Sequence, residues 1–302
     1  MDQLTDFPDK ECEKRGYLSG QFRLFHLKDP VRTAIGYHYH DFDKIIIFLD
    51  GSSSYAIEGS SYELEPGDIV IVPHYSIHRP EPQLNKNYDR IILYLSPEFL
   101  ASGPWAHSNL SALLTRAAES HSYVLRLPSI KKSLLSETLR RLEESCKEED
   151  FADELLRSLL LLEFLVYLNR AALSGEAKCL PSACRNATVL SIMRCIQENL
   201  TDDLTIDYLA ARFFMSRSHI MHLFKRETGY TIGGYISEKR LLMARELLDS
   251  GLTVTEICYR CGFKNYSAFL RAYKKAFGKP PVKKQNLLSS SVSLPSSVPE
   301  FI

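Results

Sequence analysis

Between Tyr17 and about Leu127 the apolar residues come in short runs, IIIFLDGSSSYAI, SYELEPGDIVIVP and DRIILYL, separated by Gly, Ser and Pro. Runs this short, rich in β-branched and aromatic residues, predict strands. Asp50-Gly51 and Glu58-Gly59 predict hairpin turns, and Pro66-Gly67-Asp68 another turn. Closely spaced antiparallel strands favour a small barrel or sandwich. Residues 1 to about 16 show no periodicity and read as a polar arm.

The period becomes helical from Ser129 to Leu173. In SIKKSLLSETLRRLEESCKEED, Ile130, Leu134, Leu135, Thr138, Leu139 and Leu142 share one side and the charges lie opposite. DELLRSLLLLEFLVYLNRAAL is apolar around most of its circumference, so it must be covered. Packing on the barrel and on the preceding helix would cover Leu155, Leu159, Leu162 and Val166. SGEAKCLPSAC, residues 174 to 184, reads as a short flexible linker, and the Ser- and Pro-rich tail after Gln285 reads as disordered.

From Leu204 to Pro281 one helical pattern occurs twice. Ile206, Leu209, Ala210 and Phe213 predict the inner face of a short helix, and Ser216 can N-cap a second helix carrying Ile220, Leu223 and Phe224 inward. Val254, Ile257, Cys258 and Cys261 repeat the first set at an offset of 48, with Gly262 past the helix end and Asn265 as the next N-cap. Tyr235, Ile236, Leu241, Ala244, Leu247 and Leu248 stripe a connecting helix of roughly twenty residues, about 30 Å long. Each half is a helix-turn-helix. The outward residues of the second helices are Arg217, Ser218, Met221, His222 and Lys225, then Ser267, Ala268, Arg271, Lys274 and Lys275. Donors and short side chains there suit phosphates and base edges in a major groove. A rod of that length can space two such helices about one DNA turn, ~34 Å, apart.

This segment resembles the C-terminal domain of AraC/XylS-family transcription regulators. Leu209-Ala210, Ser216, Phe224-Lys225, Gly229, Tyr235-Ile236, Arg240-Leu241, Ala244, Leu247-Leu248, Gly262-Phe263, Ser267, Phe269, Arg271, Lys274-Lys275, Gly278 and Pro281 carry the resemblance in order. Cys258 stands where that family usually has alanine, Ala268 where it often has an aromatic or histidine, and Val282 to Gln285 replace the usual closing Tyr-Arg. The resemblance implies that Ser218, Met221 and His222, with Ser267, Ala268 and Arg271, face the groove.

YHYHDFDKIIIFLDG followed by LEPGDIVIVPHYSIHRP resembles the cupin barrel that senses ligands in many such regulators. His38, His40 and His78 match histidine positions of metal-binding cupins, but Lys44 stands where those carry a ligating glutamate. No metal or other cofactor is therefore assigned. Three imidazoles still leave a zinc or iron site open, and structural histidines with the pocket elsewhere are a further alternative. The reading adopted is a polar pocket lined by His38, His40, Lys44, His78 and Tyr94, suited to sugars, hydroxylated metabolites or anions, with a sugar or related metabolite preferred. Most tyrosines in this half would coat the barrel, and Trp105 serves packing rather than ligand stacking. The helices after the barrel commonly carry a dimer contact in such regulators, so the resemblance implies a second copy as the alternative cover for Leu155, Leu159, Leu162 and Val166.

Charge supports two unlike halves. Residues 181 to 302 hold 17 Lys+Arg against 10 Asp+Glu, a balance of +7, and the rest holds 20 against 27, a balance of −7. That segregation suits a DNA module with an acidic regulatory partner and excludes a chain that coats nucleic acid along its whole length. Seven cysteines at irregular spacing indicate reduced thiols, and the CxxC of Cys258 and Cys261 falls on a core face. The first residues, MDQLTDFPDK, are no signal peptide, and no apolar run approaches the roughly 20 residues of a membrane span.

The sequence thus predicts an α+β multidomain chain: a cupin-like barrel (1–127), a helical linker or dimerisation segment (128–180), an all-α double helix-turn-helix (181–285) and a tail (286–302). The expected partners are double-stranded DNA, a small-molecule effector and a second copy, with RNA polymerase a further candidate; the expected location is the cytoplasm, without a membrane. Two alternatives stay open, a cupin metalloenzyme carrying a DNA domain and a constitutive DNA-binding protein with a structural barrel. The first is disfavoured by Lys44, so the chain is not expected to be an enzyme.

Overall fold

The computed structural model describes residues 13–14, 18, 20–127, 134–147, 150–180 and 186–282. Ile130 and the tail after Gln285 lie outside them. The chain divides into two compact units, residues 1–195 with 206–232, and 196–205 with 233–302.

The first unit is built on two facing sheets. One has the order β1-β3-β8-β5-β6, from β1 (Glu13–Lys14), β3 (His38–Tyr39), β5 (Ser53–Ile57), β6 (Ser60–Glu63) and β8 (His78–Pro82). The other has the order β11-β10-β7-β4-β9-β2, from β2 (Phe22–Pro30), β4 (Asp43–Gly51), β7 (Ile69–Val72), β9 (Asn87–Leu95), β10 (Val124–Arg126) and β11 (Lys178–Cys179). All pairings are antiparallel except β1 with β3. Alternation on β4 sorts its side chains. Ile47 and Leu49 meet Leu135, Leu139 and Phe164 outside the barrel, so Lys44, Ile46 and Phe48 point to the other face.

Several sequence expectations need correction. Glu58-Gly59 is a hairpin turn with both residues at positive φ, but Asp50-Gly51 is a corner at which the chain leaves one sheet for the other. The segment 97–120 is helical, with α1 (Pro97–Ala101) and α2 (Ala112–Ser120), where strands were expected. Part of the expected linker is β11, which adds to the edge of the second sheet by pairing with β10. Trp105 packs on Phe99, ring centroids 5.0 Å apart, and its indole N–H donates to the Phe99 carbonyl.

The covering layer is α3 (Leu134–Ser145) and α4 (Asp153–Leu173). Leu135, Thr138, Leu139 and Leu142 are buried as the period requires, but Leu134 is exposed. α4 buries Leu160, Leu161, Phe164, Leu165 and Leu168, with Leu162 and Val166 half-covered by the same core, while Leu155 (61%) and Leu159 (55%) remain exposed. Buried Asn169 donates to the Leu110 and Leu165 carbonyls and accepts from the Leu113 amide, tying α4 to α2. His26 on β2 joins sheet to helix by its contacts with Asp89 (2.9 Å) and Glu143 of α3 (3.0 Å).

The helices of the C-terminal segment are α5 (Ala187–Glu198), α6 (Ile206–Arg212), α7 (Arg217–Thr228), α8 (Ile232–Glu246), α9 (Val254–Arg260) and α10 (Tyr266–Phe277). At 15 residues α8 is about 22 Å long, shorter than the stripe suggested, because Leu247–Asp249 tightens into a 3-10 turn. In the second unit Leu241, Ala244, Ile257, Cys258, Cys261, Phe269 and Tyr273 form one core. Burial raises the thiol pKa of Cys258, and that of Cys261 to about 11, which keeps both protonated. Each helix-turn-helix turns on a left-handed residue, Phe214 at φ 54° and Gly262 at φ 82°, which stand at the same offset of 48 as the rest of the repeat. A Cβ at Gly262 would lie 2.9 Å from both Arg240 Nε and the Thr201 carbonyl.

Both the His26 link and the paired turns have measurable consequences. Burial opposes the charge on His26, but its bonds to Glu143 and Asp89 outweigh burial and lift its pKa above 6.5. The link therefore stabilises fully below about pH 6.5 and fades as pH rises through the folded value; the Tm difference between wild type and His26→Gln should shrink from about pH 6 to about pH 8.5, and a constant difference would contradict the link. In urea unfolding, Gly262→Ala should cost about 1–3 kcal/mol, whereas Phe214→Gly should change stability by less than about 1 kcal/mol, strain relief offsetting chain entropy. Equal costs would show that the two turns are not equivalent in the way the repeat indicates.

Candidate functional site

Two places gather chemistry, the interior of the barrel and the outer faces of α7 and α10. In the barrel, His38 and His78 are register partners across β3 and β8, with ring centroids 4.3 Å apart. His40 lies 5.1 Å from His38 and 4.9 Å from His78, centroid to centroid, and stacks on Phe42 at 4.7 Å. Lys44 Nζ sits 5.8 Å from the centre of the Tyr94 ring, and Tyr94 is 5.9 Å from His40. The five residues singled out in the sequence are thus neighbours. His38, His40, Lys44 and His78 are buried, and Tyr94 is half-buried.

Hydrogen bonding fixes two of the imidazoles. Nδ1 of His38 faces the Gly36 carbonyl and Nδ1 of His78 the Ser76 carbonyl, each at 2.9 Å. A carbonyl only accepts, so both Nδ1 atoms carry the proton and both Nε2 atoms keep their lone pairs. One nitrogen from each of the three histidines lies within 4.8 Å of the others. That donor set fits a divalent ion, with backbone carbonyls orienting the ligands. The neighbouring Lys44 does not fit, since its ammonium opposes a cation in the same space.

Burial, and after it the charge of Arg90, lowers the pKa of Lys44 to about 7. Burial, then Lys44 and the other two histidines, drives the pKa of His78 far below its usual value. The sequence reading missed two residues of this interior. Tyr55 is fully buried, stacks near-parallel to His78 at 5.9 Å and has its hydroxyl without a hydrogen-bond partner. Arg90 is buried, donates to Asp29 and to the Tyr88 carbonyl at 2.6 Å each, and closes one end of the barrel. A cavity of about 500 Å³ opens beside it, lined by Asp29, Val31, Arg32, Thr33 and Ile35 among others. Period-2 alternation from Tyr94 back to Arg90 is the signal that could have found the arginine.

On α7, Ser216 caps the helix by accepting from the His219 amide, and Gly229 ends it in the left-handed region. On α10, Asn265 caps by accepting from the Ala268 amide at 2.8 Å, and Gly278 ends it; Thr253 and Glu256 form a capping box on α9. With Ile220, Leu223, Phe224, Phe269 and Tyr273 turned inward, Arg217, Ser218, Met221, His222, Lys225, Ser267, Ala268, Arg271, Lys274 and Lys275 are all exposed. Arg217 is held by Asp207 at 2.9 Å. Arg271 and Lys274 have no ion pair among the described residues, so their charges face solvent.

The barrel meets the first helix-turn-helix at Tyr37. Tyr37, next to His38, donates from its hydroxyl to the Glu227 carbonyl at 2.7 Å, and its ring lies against Gly229 so closely that a Cβ there would come within 2.6 Å. Arg79 lies over the same ring at 4.2 Å. No helix among the described residues is long and apolar enough to cross a membrane.

Comparison with known proteins matches residues 25–165 to an AraC-like ligand binding domain and residues 209–286 to a helix-turn-helix domain. The HTH-type transcriptional activator RhaS of Escherichia coli (strain SMS-3-5 / SECEC) is 26% identical over 255 residues, covering 81% of this chain and 85% of that protein. Among solved structures, the C-terminal domain of AraT, a response regulator from Geobacillus stearothermophilus, is 30% identical over 32% of this chain and 81% of its own (TM-score 0.31). ToxT from Vibrio cholerae is 13% identical over 87% of this chain and 97% of its own (TM-score 0.34). The two matched domains, in this order on one chain and covering most of it, place the protein in the AraC family of DNA-binding transcription regulators, with a ligand-binding domain ahead of its helix-turn-helix domain.

Proposed function

We propose that a small polar molecule, a sugar or related metabolite, binds inside the barrel and alters how the chain presents α7 and α10 to DNA. The observation that carries this reading is the adjacency of Tyr37 and His38. One residue belongs to the barrel interior and the next to the C-cap of the first recognition helix. A ligand that moves His38 moves the Tyr37 contact with it, which supplies the differential affinity a population shift requires. The barrel interior buries His38, His40, Lys44 and His78 beside Ile46 and Phe48, a polar cluster that a purely structural barrel would not need. RhaS is described as a transcriptional activator, and we assign the same class of role.

In this reading Arg271 reads a guanine edge and Lys274 and Lys275 hold phosphates, with Lys225 doing so on the first unit. Ser218, Met221, His222, Ser267 and Ala268 give shorter or apolar contacts, and Arg217 a phosphate contact once it leaves Asp207. Each chain then covers two adjacent major grooves. We assign Leu155 and Leu159 to the contact with a second copy, since they lie one turn apart on α4 and its own core leaves them bare, as it does Leu156 and Leu173. The cytoplasm is the compartment this role requires.

The reading is tested by selecting genomic fragments with the purified full-length protein, at salt high enough to suppress non-specific binding. A shared motif with paired elements about one helical turn apart supports it, and no enrichment with or without added metabolites opposes it. On a selected fragment, Arg271→Ala should lose about 1–3 kcal/mol of specific binding, while Lys274→Ala should weaken all sequences alike and flatten the salt dependence. Unchanged affinity in Arg271→Ala would remove that residue from the interface. In sedimentation, Leu155→Glu with Leu159→Glu should yield monomers with Tm no lower than wild type, because both side chains are exposed in one chain; a dimer that persists would move the contact elsewhere.

A further inference from the structure

Lys44 is the least compensated group in the barrel. Its side chain is buried, only 6% of the residue being exposed, and among the described residues no carboxylate or carbonyl hydrogen-bonds to its Nζ. The face of Tyr94 lies 5.8 Å away. The other buried cation nearby, Arg90, has Asp29 as its counterion, yet Asp29 is largely exposed at the barrel end and pairs with Arg90 alone. The acidic side chains close to this space are spoken for: Asp43 accepts from His74, and Glu58 from the Ile77 amide. Two further polar atoms of the same interior, the Tyr55 hydroxyl and His78 Nε2, are buried without a hydrogen-bond partner. A folded protein retains such groups at a cost in stability unless something completes them.

What completes Lys44 has to bring negative charge, whereas His78 Nε2, which keeps its lone pair, needs a donor such as a hydroxyl of the same molecule. A neutral polyol would satisfy Tyr55 and His78 but leave the ammonium uncompensated, and a divalent ion would add a second positive charge to it. An anion satisfies Lys44 and accepts from Tyr55 together. The cavity beside the barrel end is lined by Arg32 and Arg90 together with Asp29, the counterion of Arg90, so the local charge there does not decide the ligand and Lys44 does. We propose that the effector carries an anionic group, a carboxylate or a phosphate, that docks on Lys44 Nζ beside Tyr55 and His78. This rests on the reading of the barrel as an effector site and narrows the effector from polar to acidic.

The test compares thermal melting of the full-length protein with D-galactose, D-galacturonate, a galactose phosphate, formate and inorganic phosphate, in wild type, Lys44→Met and Lys44→Arg. We expect at least one anion to raise the wild-type Tm by about 2–5 °C at saturation, with galactose ineffective. The rise should vanish in Lys44→Met and persist in part in Lys44→Arg; galacturonate against galactose phosphate separates carboxylate from phosphate. Lys44→Met without ligand should melt above wild type, since an apolar chain of similar length removes the buried ammonium. Equal protection of Lys44→Met, or no anion effect on wild type, overturns the proposal. Protection by galactose as strong as by its acid overturns it while leaving the effector site standing. Protection by Zn²⁺ that survives Lys44→Met and is lost in His78→Gln overturns it by giving the pocket to a cation. If none of these compounds changes melting or affinity for a selected fragment, the effector reading falls as well.

Discussion

The alternation of side chains along β4 is the constraint on which the barrel depends. Both faces of this strand are buried, so each residue serves one of two environments. Ile47 and Leu49 hold the sheet to α3 and α4, while Lys44 points with Ile46 and Phe48 to the opposite face. A slip of one residue would exchange the two sets, placing an ammonium under the helices and isoleucines in the pocket. The same register sets Lys44 beside Tyr94 on β9, and His38 opposite His78 on the other sheet. The polar interior is therefore a product of strand pairing as much as of the residues themselves.

A polar interior enclosed in this way has consequences for stability and for control. His78 and Tyr55 hold unsatisfied polar atoms at full burial, and Lys44 has no counterion among the described residues. The apolar layer outside, from Ile45 and Ile47 to Phe164 and Leu168, carries the fold while the interior remains uncompensated. A ligand that completes the interior binds the folded form and stabilises it by mass action. Because Tyr37 and His38 are consecutive, stabilisation of one end of β3 bears directly on the C-terminus of α7.

Much of this was legible in the sequence where local chemistry decides structure. Ser216 and Asn265 cap the helices they were expected to cap, and the inward set of each repeat unit is buried, with Ile206, Phe213 and Val254 only partly so. The five polar residues converge because strands at short spacing leave few ways to close a barrel. What escaped notice depends on tertiary context. Asp50-Gly51 looks like a hairpin turn, but only the sheet assignment shows that it is a corner. β11 has no apolar period of its own and exists because β10 offers an open edge. Phe214 takes a left-handed conformation that its residue type disfavours, and only its alignment with Gly262 would have shown it. Arg90 was overlooked because an arginine in a strand reads as surface, whereas here Asp29 compensates it at the barrel end.

The central claim is that the barrel governs DNA binding through a defined contact. The most direct measurement is the affinity of full-length Tyr37→Phe for a fragment selected by wild type, since this change removes only the hydroxyl that donates to Glu227. Tyr37 lies outside both recognition faces, so the account predicts a change of roughly two- to ten-fold, the worth of one hydrogen bond, with the melting temperature nearly unchanged. Identical affinity, with and without the acidic ligands, would contradict it and separate the barrel from the control of α7.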